Sequence, residues 1–270
     1  MEKLQKALEK ARSIRSSSAS TMRRGTQTLS PEQNELWQSV APMKLSAQDL
    51  AANRVFLQDN IAGIAPYDVL RTRLREIARK QNLKRVAITS PEAQAGKSTT
   101  LANLALSLGR LDFLRTIVFD FDLRRPSLHK LLAQKPTANM GTLIQGDVPF
   151  EEHMLRVNDN LIFGLNSGAV ANSSELLQGN DTIDFLHAVE ETFAPDMMLF
   201  DMPPFLAADD THGFLSNIDG VILVVEAENT TISQIDAVEE QLSKLTNVIG
   251  VVLNKCNFAN NEIDSSYGYY

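Results

Sequence analysis

The stretch 90–100, SPEAQAGKSTT, holds the residues best suited to chemistry, and it follows the apolar run 85–89. Gly-Lys-Ser opening a helix directly after a strand is the second half of a phosphate-binding loop. Small residues let successive backbone N–H groups converge on phosphate oxygens at the positive end of the helix, a lysine binds the outer phosphates, and a hydroxyl binds Mg²⁺. We therefore predict that a nucleotide binds at Ala95, Gly96, Lys97, Ser98 and Thr99.

The loop departs from the full consensus at its first position. In G-x-x-x-x-G-K-[ST] the first residue is glycine, and Pro91 stands there in this sequence. A Gly-Lys-Ser/Thr triplet alone arises by chance in roughly one chain in ten of this length on average composition. The loop needs support from other residues before it indicates a function.

Three carboxylates supply that support. Asp120 and Asp122 follow the apolar run 116–119, and Asp201 follows the apolar run 197–200. A single carboxylate at the end of a strand is as often a helix cap or a turn residue. Three of them, downstream of Gly-Lys-Ser-Thr, would meet at the rim of the phosphate loop, which is the arrangement that metal-assisted phosphoryl transfer requires.

The elements that must position these groups alternate along the chain. Apolar runs predict strands at 85–89, 116–120, 160–164, 197–201, 220–225 and 248–253, and helical spacing predicts helices near 97–109, 127–132, 181–193 and 231–245. Continuous apolar strands between helices indicate a mostly parallel sheet with helices on both faces. The predicted fold is a Rossmann-like α/β P-loop NTPase, whose ligands bind at the carboxyl ends of the strands.

Composition divides the chain into three parts. Residues 1–65 are predicted to be a basic helix around Leu4, Ala7, Leu8 and Ala11 followed by a partly disordered low-complexity linker. A domain is predicted over 66–258, entered by a helix with Pro66 in its first turn. Residues 259–270 are predicted to be a tail, and they contain three of the four tyrosines, Tyr267, Tyr269 and Tyr270. We do not expect tyrosines at these positions to belong to the hydrophobic core.

Charge and cysteine content exclude several classes of protein. Residues 1–30 carry seven basic and two acidic side chains, so they hold +5 and the remainder holds −12 of the net −7. We therefore expect no nucleic acid partner, although the basic arm suits an anionic surface. The single cysteine, Cys256, cannot form an internal disulfide, and no apolar run is long enough to cross a membrane, so we expect a cytoplasmic protein.

The motifs together resemble a known family. The strand followed by GKST, the apolar run followed by D-x-D-x-R, and the apolar run followed by D-x-P-P are similar to those of the bacterial tyrosine kinases of exopolysaccharide biosynthesis. These kinases are relatives of the cell-division-site and chromosome-partitioning ATPases. The resemblance covers about residues 65–256, and the tyrosine-rich tail matches a common feature of the family.

The resemblance implies an ATP- and Mg²⁺-dependent protein-tyrosine autokinase that phosphorylates Tyr267, Tyr269 and Tyr270 and regulates polysaccharide polymerisation and export. The implied activator is a membrane-embedded polysaccharide co-polymerase that holds the kinase at the inner face of the membrane. The implied site residues are Lys97 and the loop backbone for the β and γ phosphates, Ser98 with Asp122 and Asp201 for the metal, Asp120 for the tyrosine hydroxyl, and Asn254 for the adenine.

Two departures from the family leave alternatives open. Gln94 stands where the family has glycine, and of the oligomerisation pattern E-x-x-R-x-x-R, aligned at Ala65, Asp68 and Arg71, only the last residue matches. A homo-oligomer is therefore one of several possible assemblies. The alternatives to the kinase are a nucleotide-switched ATPase scaffold of the partitioning type and a kinase homologue that binds ATP without transferring phosphate.

Overall fold

The structure is a computed structural model and describes residues 30–57, 60–207 and 209–256. The predicted basic helix around Leu4 and the tyrosine tail 259–270 lie outside the described residues. Over those that are described, no helix is both long enough and apolar enough to cross a bilayer.

A seven-stranded sheet forms the centre of the molecule. Its strands are β1 (Arg85–Thr89), β2 (Thr116–Asp120), β3 (Leu155–Asn158), β4 (Leu161–Gly164), β5 (Met197–Asp201), β6 (Gly220–Glu226) and β7 (Val248–Asn254). They lie in the order β3-β4-β2-β5-β1-β6-β7, and every pair except β3 with β4 is parallel. The six predicted strands and their mostly parallel arrangement are confirmed.

Helices cover both faces of the sheet, as predicted from the fully apolar strands. In chain order they are α1 (Pro31–Ser39), α2 (Ala47–Ala52), α3 (Ile61–Gln81), α4 (Lys97–Leu108), α5 (Leu128–Leu131), α6 (Met140–Ile144), α7 (Phe150–His153), α8 (Ser173–Gln178), α9 (Asn180–Phe193), α10 (Asp209–Phe214) and α11 (Ile232–Ser243). Two clusters of buried side chains result, one on each face.

Strand β3 was not among the predicted strands. It runs antiparallel to β4, with which it forms a hairpin, and its four residues LRVN are all half-buried. An edge strand of this kind lacks the continuous apolar run that marks a central strand. The sequence signal for it is therefore weak.

The predicted start of a helix at Pro66 is wrong. Helix α3 begins at Ile61, because the Asn60 side chain accepts a hydrogen bond from Gly63 N–H at 2.9 Å and caps it there. Pro66 lies inside the helix. The family's oligomerisation positions also lie on α3, where Arg71 donates to the Ser107 carbonyl at 3.1 Å within the same chain.

The part of the predicted linker that the structure describes contains packed helices. Trp37 on α1 is fully buried, and its indole N–H donates to the Phe193 carbonyl at 2.7 Å. Helix α1 is fixed at its start by a reciprocal pair of bonds between Ser30 and Gln33. The segment from Ser30 is thus packed on the sheet domain.

Candidate functional site

The phosphate loop connects β1 to α4, and Gly96 is the residue that turns it into the helix. Gly96 has φ +91°, and a Cβ added there would overlap the side-chain amide of Asn254. The same amide donates to the Ala95 carbonyl at 2.9 Å. Glycine is required here both by the backbone conformation and by the close approach of β7.

Gln94 adopts a left-handed backbone although it has a side chain, with φ +68°. The loop around it is tied to the segment after β5, since Phe205 N–H donates to the Ser90 carbonyl at 2.7 Å and Leu206 N–H to the Pro91 carbonyl at 3.2 Å. The Glu92 carboxylate also accepts a bond from Gln234 on α11 at 3.1 Å. The loop therefore keeps a left-handed turn at the position where the family has glycine.

Lys97 lies at the centre of the site and is buried. Its ammonium Nζ donates to Asp122 Oδ2 at 2.7 Å and lies 3.3 Å from Ser98 Oγ and 3.5 Å from Asp201 Oδ1. Burial alone would lower the pKa of this ammonium, but the negative charges of Asp201 and Asp122 outweigh that effect, and the pKa is raised. Lys97 is thus charged and held by carboxylates.

Asp120, at the end of β2, is fully buried. Its Oδ2 accepts a bond from Leu128 N–H at 3.2 Å, whereas no described group donates a hydrogen bond to its Oδ1. Burial, and after it the charge of Asp201, raise the pKa of Asp120 well above its usual value, against the opposing effect of Lys97. The carboxylate therefore holds a proton more readily than an exposed aspartate does.

Asp201 is the direct neighbour of Asp120 across the sheet. Asp120 is the last residue of β2 and Asp201 the last residue of β5, and the two residues are paired in the register of these strands. Asp201 is fully buried, and burial raises its pKa although the Lys97 charge opposes this. Its Oδ2 has no hydrogen-bond partner among the described residues. Asp122 differs, since the Arg125 N–H donates to its Oδ1 at 3.0 Å and Lys97 occupies its Oδ2.

Lys97, Ser98 and Asp122 border a cavity of about 550 Å³ at the carboxyl ends of the strands, whereas Asp120 and Asp201 are fully buried behind its lining. Its lining comprises residues of the phosphate loop and α4, the β2–α5 loop, the segment after β5 and Lys255: Ala93, Gln94, Gly96, Lys97, Ser98, Thr99, Asp122, Arg124, Arg125, Ser127, Leu131, Pro203, Pro204, Ala207 and Lys255. The structure brings together the predicted residues of the loop and all three carboxylates. The roles predicted for them stay predictions.

Sequence reasoning missed the carboxylate that holds Arg124. The Arg124 guanidinium pairs with Asp210 Oδ2 at 2.6 Å, and Asp210 is fully buried at the second residue of α10. Arg124 is itself half-exposed and lines the cavity. Only the tertiary fold shows this pair. Arg124 follows β2 and Asp210 lies on α10, and no sequence spacing relates the two positions.

The site's chemistry fits a magnesium ion. The buried Asp201 Oδ2 lacks a hydrogen-bond partner among the described residues, and the Asp201 carboxylate and the Ser98 hydroxyl both lie beside the Lys97 ammonium, so the site offers the hard oxygen ligands that Mg²⁺ prefers. Among the described residues, no group of three or more His, Cys, Asp or Glu side chains is arranged as a ready-made metal site. A magnesium ion here would take its remaining ligands from phosphate and water, as is usual for nucleotide sites.

The chain is similar to known nucleotide-binding domains and to tyrosine-protein kinases. The model of the CobQ/CobB/MinD/ParA nucleotide-binding domain matches residues 86–267. The tyrosine-protein kinase YwqD of Bacillus subtilis is 30% identical over 207 residues, which are 76% of this chain and 84% of that protein. The tyrosine-protein kinase CpsD of Streptococcus agalactiae is 28% identical over 76% of this chain and 86% of its own length.

Solved structures share the fold. The VpsO kinase domain is 26% identical, with a TM-score of 0.65 over 74% of this chain and 98% of that domain. MinD of Pyrococcus horikoshii, solved with Mg-ADP, is 19% identical with a TM-score of 0.52 over 66% of this chain and 72% of its own, so it supports the fold alone. The chain belongs to the CobQ/CobB/MinD/ParA family of nucleotide-binding domains and, within it, to the bacterial tyrosine kinases.

Proposed function

We propose that the chain is an ATP-dependent protein-tyrosine autokinase whose acceptors are Tyr267, Tyr269 and Tyr270. The observation that carries the proposal is the meeting of Lys97 with three buried carboxylates at one edge of the sheet. Binding of phosphate needs only the loop backbone and a cation. Carboxylates beside that cation add what transfer needs, namely metal ligands and a proton acceptor.

The phosphate loop supports ATP as the donor. Gly96 and the residues that follow it expose backbone N–H groups at the start of α4, a helix of 12 residues. Lys97 would bind the β and γ phosphates, which compete with Asp122 for its ammonium. Asn254 is proposed to contact the adenine, and its amide already lies against the loop at Ala95.

Ser98, Asp122 and Asp201 would hold magnesium, and the ion would supply positive charge that offsets the negative charge of the phosphates. The residues of this chain do the rest. Arg124 and Arg125 line the same cavity and provide further positive charge there.

Asp120 is proposed to accept the proton of the tyrosine. A phenol has a pKa near 10 and is a weak nucleophile at pH 7, so a base with raised proton affinity assists its attack. In the transfer, a bond forms between the tyrosine oxygen and the γ phosphorus, the bond to the bridging oxygen of ADP breaks, and the phenolic proton moves to Asp120 Oδ1. That oxygen has no other described partner.

The spacing between the site and the acceptors supports the same proposal. Asn254 borders the loop, and Tyr267 follows it by 13 residues. Such a segment spans at most about 45 Å when extended. The proposal includes a domain boundary at residue 258 and a tail over 259–270. The tail could be phosphorylated within one chain or between chains of a homo-oligomer.

The named relatives support a proposal for the physiological setting. Relatives include the tyrosine-protein kinase CpsD and a putative tyrosine-protein kinase CapB of Staphylococcus aureus, 25% identical over 71% of this chain. We propose that phosphorylation of the tail regulates polymerisation and export of an exopolysaccharide. The activator would be a membrane-embedded co-polymerase, which would hold this chain at the cytoplasmic face of the membrane.

Phosphate transfer from γ-labelled ATP with Mg²⁺ tests the function. The purified chain is compared with Lys97→Met and with the triple Phe variant of Tyr267, Tyr269 and Tyr270, each with and without a cytoplasmic segment of the co-polymerase. A kinase labels the wild-type chain and neither variant. Release of free phosphate without labelled protein, unchanged in the Phe variant, would instead show the nucleotide-switched ATPase.

A further inference from the structure

A second cavity lies outside the nucleotide site and shares no lining residue with it. It has a volume of about 490 Å³ and is bounded by α1, α6, α7 and α9. Its walls are apolar and include Leu36, Leu143, Phe150, Phe185, Val189 and Phe193. We call it the α9 groove. An apolar groove of this kind suits the apolar face of an amphipathic helix.

The edge of the α9 groove is acidic. Glu151, Asp181 and Asp184 are exposed and line it, and no lysine or arginine is among the residues that line it. The groove thus combines an apolar floor with three negative charges. Its occupant should carry an apolar stripe flanked by positive charges.

Residues 1–15 of the same chain carry that pattern. Leu4, Leu8, Ala11 and Ile14 recur at helical spacing, and five basic side chains against two acidic ones give the segment a charge of +3. We propose that residues 1–15 bind in the α9 groove of their own chain as an amphipathic helix. The inference does not depend on the proposed kinase function.

The connection between the two favours binding within one chain. Leu36 forms part of the groove wall and lies on α1, whose cap is Ser30. The connecting residues 16–30 would span about 20 Å on average if they behaved as a flexible chain. Such a tether gives an effective concentration on the order of millimolar, so that even weak contacts would keep the groove filled.

Disulfide trapping in the full chain tests the proposal. Leu8→Cys is combined with Ala188→Cys, an exposed residue that lines the groove, in a Cys256→Ser background. The matched control combines Leu8→Cys with Glu239→Cys, an exposed position on α11. Under mild oxidation we expect about tenfold more intramolecular disulfide in the first variant, because binding in the groove holds Leu8 beside Ala188, whereas the tether alone allows only occasional encounters with Glu239.

The charge contribution is tested in the same assay. Asp184→Lys should reduce the yield of the disulfide severalfold, whereas Glu191→Lys, exposed on the same helix but outside the groove, should not. Equal disulfide yields at Ala188 and Glu239 would overturn the proposal. So would disulfides formed only between chains, which would assign the groove to a second copy. Binding of the chain to anionic vesicles without any disulfide at Ala188 would assign residues 1–15 to a lipid surface instead.

Discussion

At the scale of residues, the site is defined by an imbalance of charge. Asp120, Asp122 and Asp201 surround a single ammonium, that of Lys97, and the whole group is buried. Burial raises the pKa values of Asp120 and Asp201, and the negative charges of neighbouring carboxylates add to this effect because the one ammonium opposes it only in part. Such clusters are typical of sites arranged for chemistry at the expense of stability.

Asp120→Asn should therefore stabilise the chain in the absence of nucleotide. Because the folded-state pKa of Asp120 is raised, wild-type stability falls as the pH rises from about 4, the unfolded value, through the folded pKa. The isosteric Asn can still accept the Leu128 bond and does not ionise. Chemical denaturation at pH 8 should show a gain of about 1–3 kcal/mol that shrinks as the pH falls towards 4. A difference that does not depend on pH would contradict this.

Lys97→Met should have the opposite effect. Removing the ammonium leaves buried carboxylates without their counter-charge, which typically costs about 3–5 kcal/mol. Denaturant unfolding at pH 7.5 measures the loss. Lys244→Met, which breaks an exposed ion pair on α11, is the matched control and should change stability little. Equal effects of the two substitutions would show that Lys97 does not neutralise the cluster.

The residue types at the site could be predicted from the sequence, but their pairing could not. Gly-Lys-Ser-Thr after a strand and aspartates after two others mark the site, because parallel strands end at the same edge of a sheet. Side-chain packing in three dimensions determines the pairing. It makes Asp122 the closest partner of Lys97 and Asp210 the partner of Arg124. No spacing along the chain encodes it.

At the scale of elements, the turn into α4 depends on one glycine. Gly96→Ala would add both an unfavourable left-handed backbone and an overlap with the Asn254 amide, so nucleotide binding should fall by more than tenfold, with a loss of stability above 1 kcal/mol. Gly146→Ala is the matched control, since Gly146 has φ +77° and open space around it. Calorimetric titration with ATP should show weakened binding for the first variant alone.

Trp37 is the fully buried side chain that helix α1 contributes to the core. Trp37→Ala should cost about 3–5 kcal/mol, because the indole is fully buried and bonded to the Phe193 carbonyl. Trp37→Phe keeps most of the apolar contact, loses the hydrogen bond and should cost less. Thermal and denaturant unfolding compare the two. Equal stability of the Ala variant and the wild type would show that α1 is not part of the cooperative domain.

The strands and helices of the domain can largely be predicted from the sequence, whereas helix α1, which precedes them, is not marked clearly enough to be predicted. Apolar runs marked six of the seven strands because parallel strands are covered on both faces. The start of α1 did carry a local signal, Ser-Pro-Glu-Gln at 30–33, which forms the capping box seen in the structure. The low-complexity composition around it concealed that signal, and only burial of Trp37 shows that α1 belongs to the fold.

At the scale of the whole molecule, the parallel sheet brings the reactive groups together. Strands β1, β2 and β5 are neighbours in the sheet, and the groups at their ends come from positions as far apart as Lys97 and Asp201. The class of fold could be predicted from alternating strands and helices. The order of the strands could not, because it depends on which crossover places each strand beside its partner.

The central claim is that the site built around Lys97 and Asp120 transfers phosphate to the tyrosines of the same protein. Tandem mass spectrometry after incubation with ATP, Mg²⁺ and the activating segment of the co-polymerase tests it directly, with Asp120→Asn as the comparison. We predict phosphate on Tyr267, Tyr269 or Tyr270 in the wild type. Asp120→Asn should still bind ATP but carry at least a hundredfold less phosphate, a factor within the usual contribution of a general base. Unmodified tail tyrosines in the activated wild-type chain, or equal modification in Asp120→Asn, would contradict the claim.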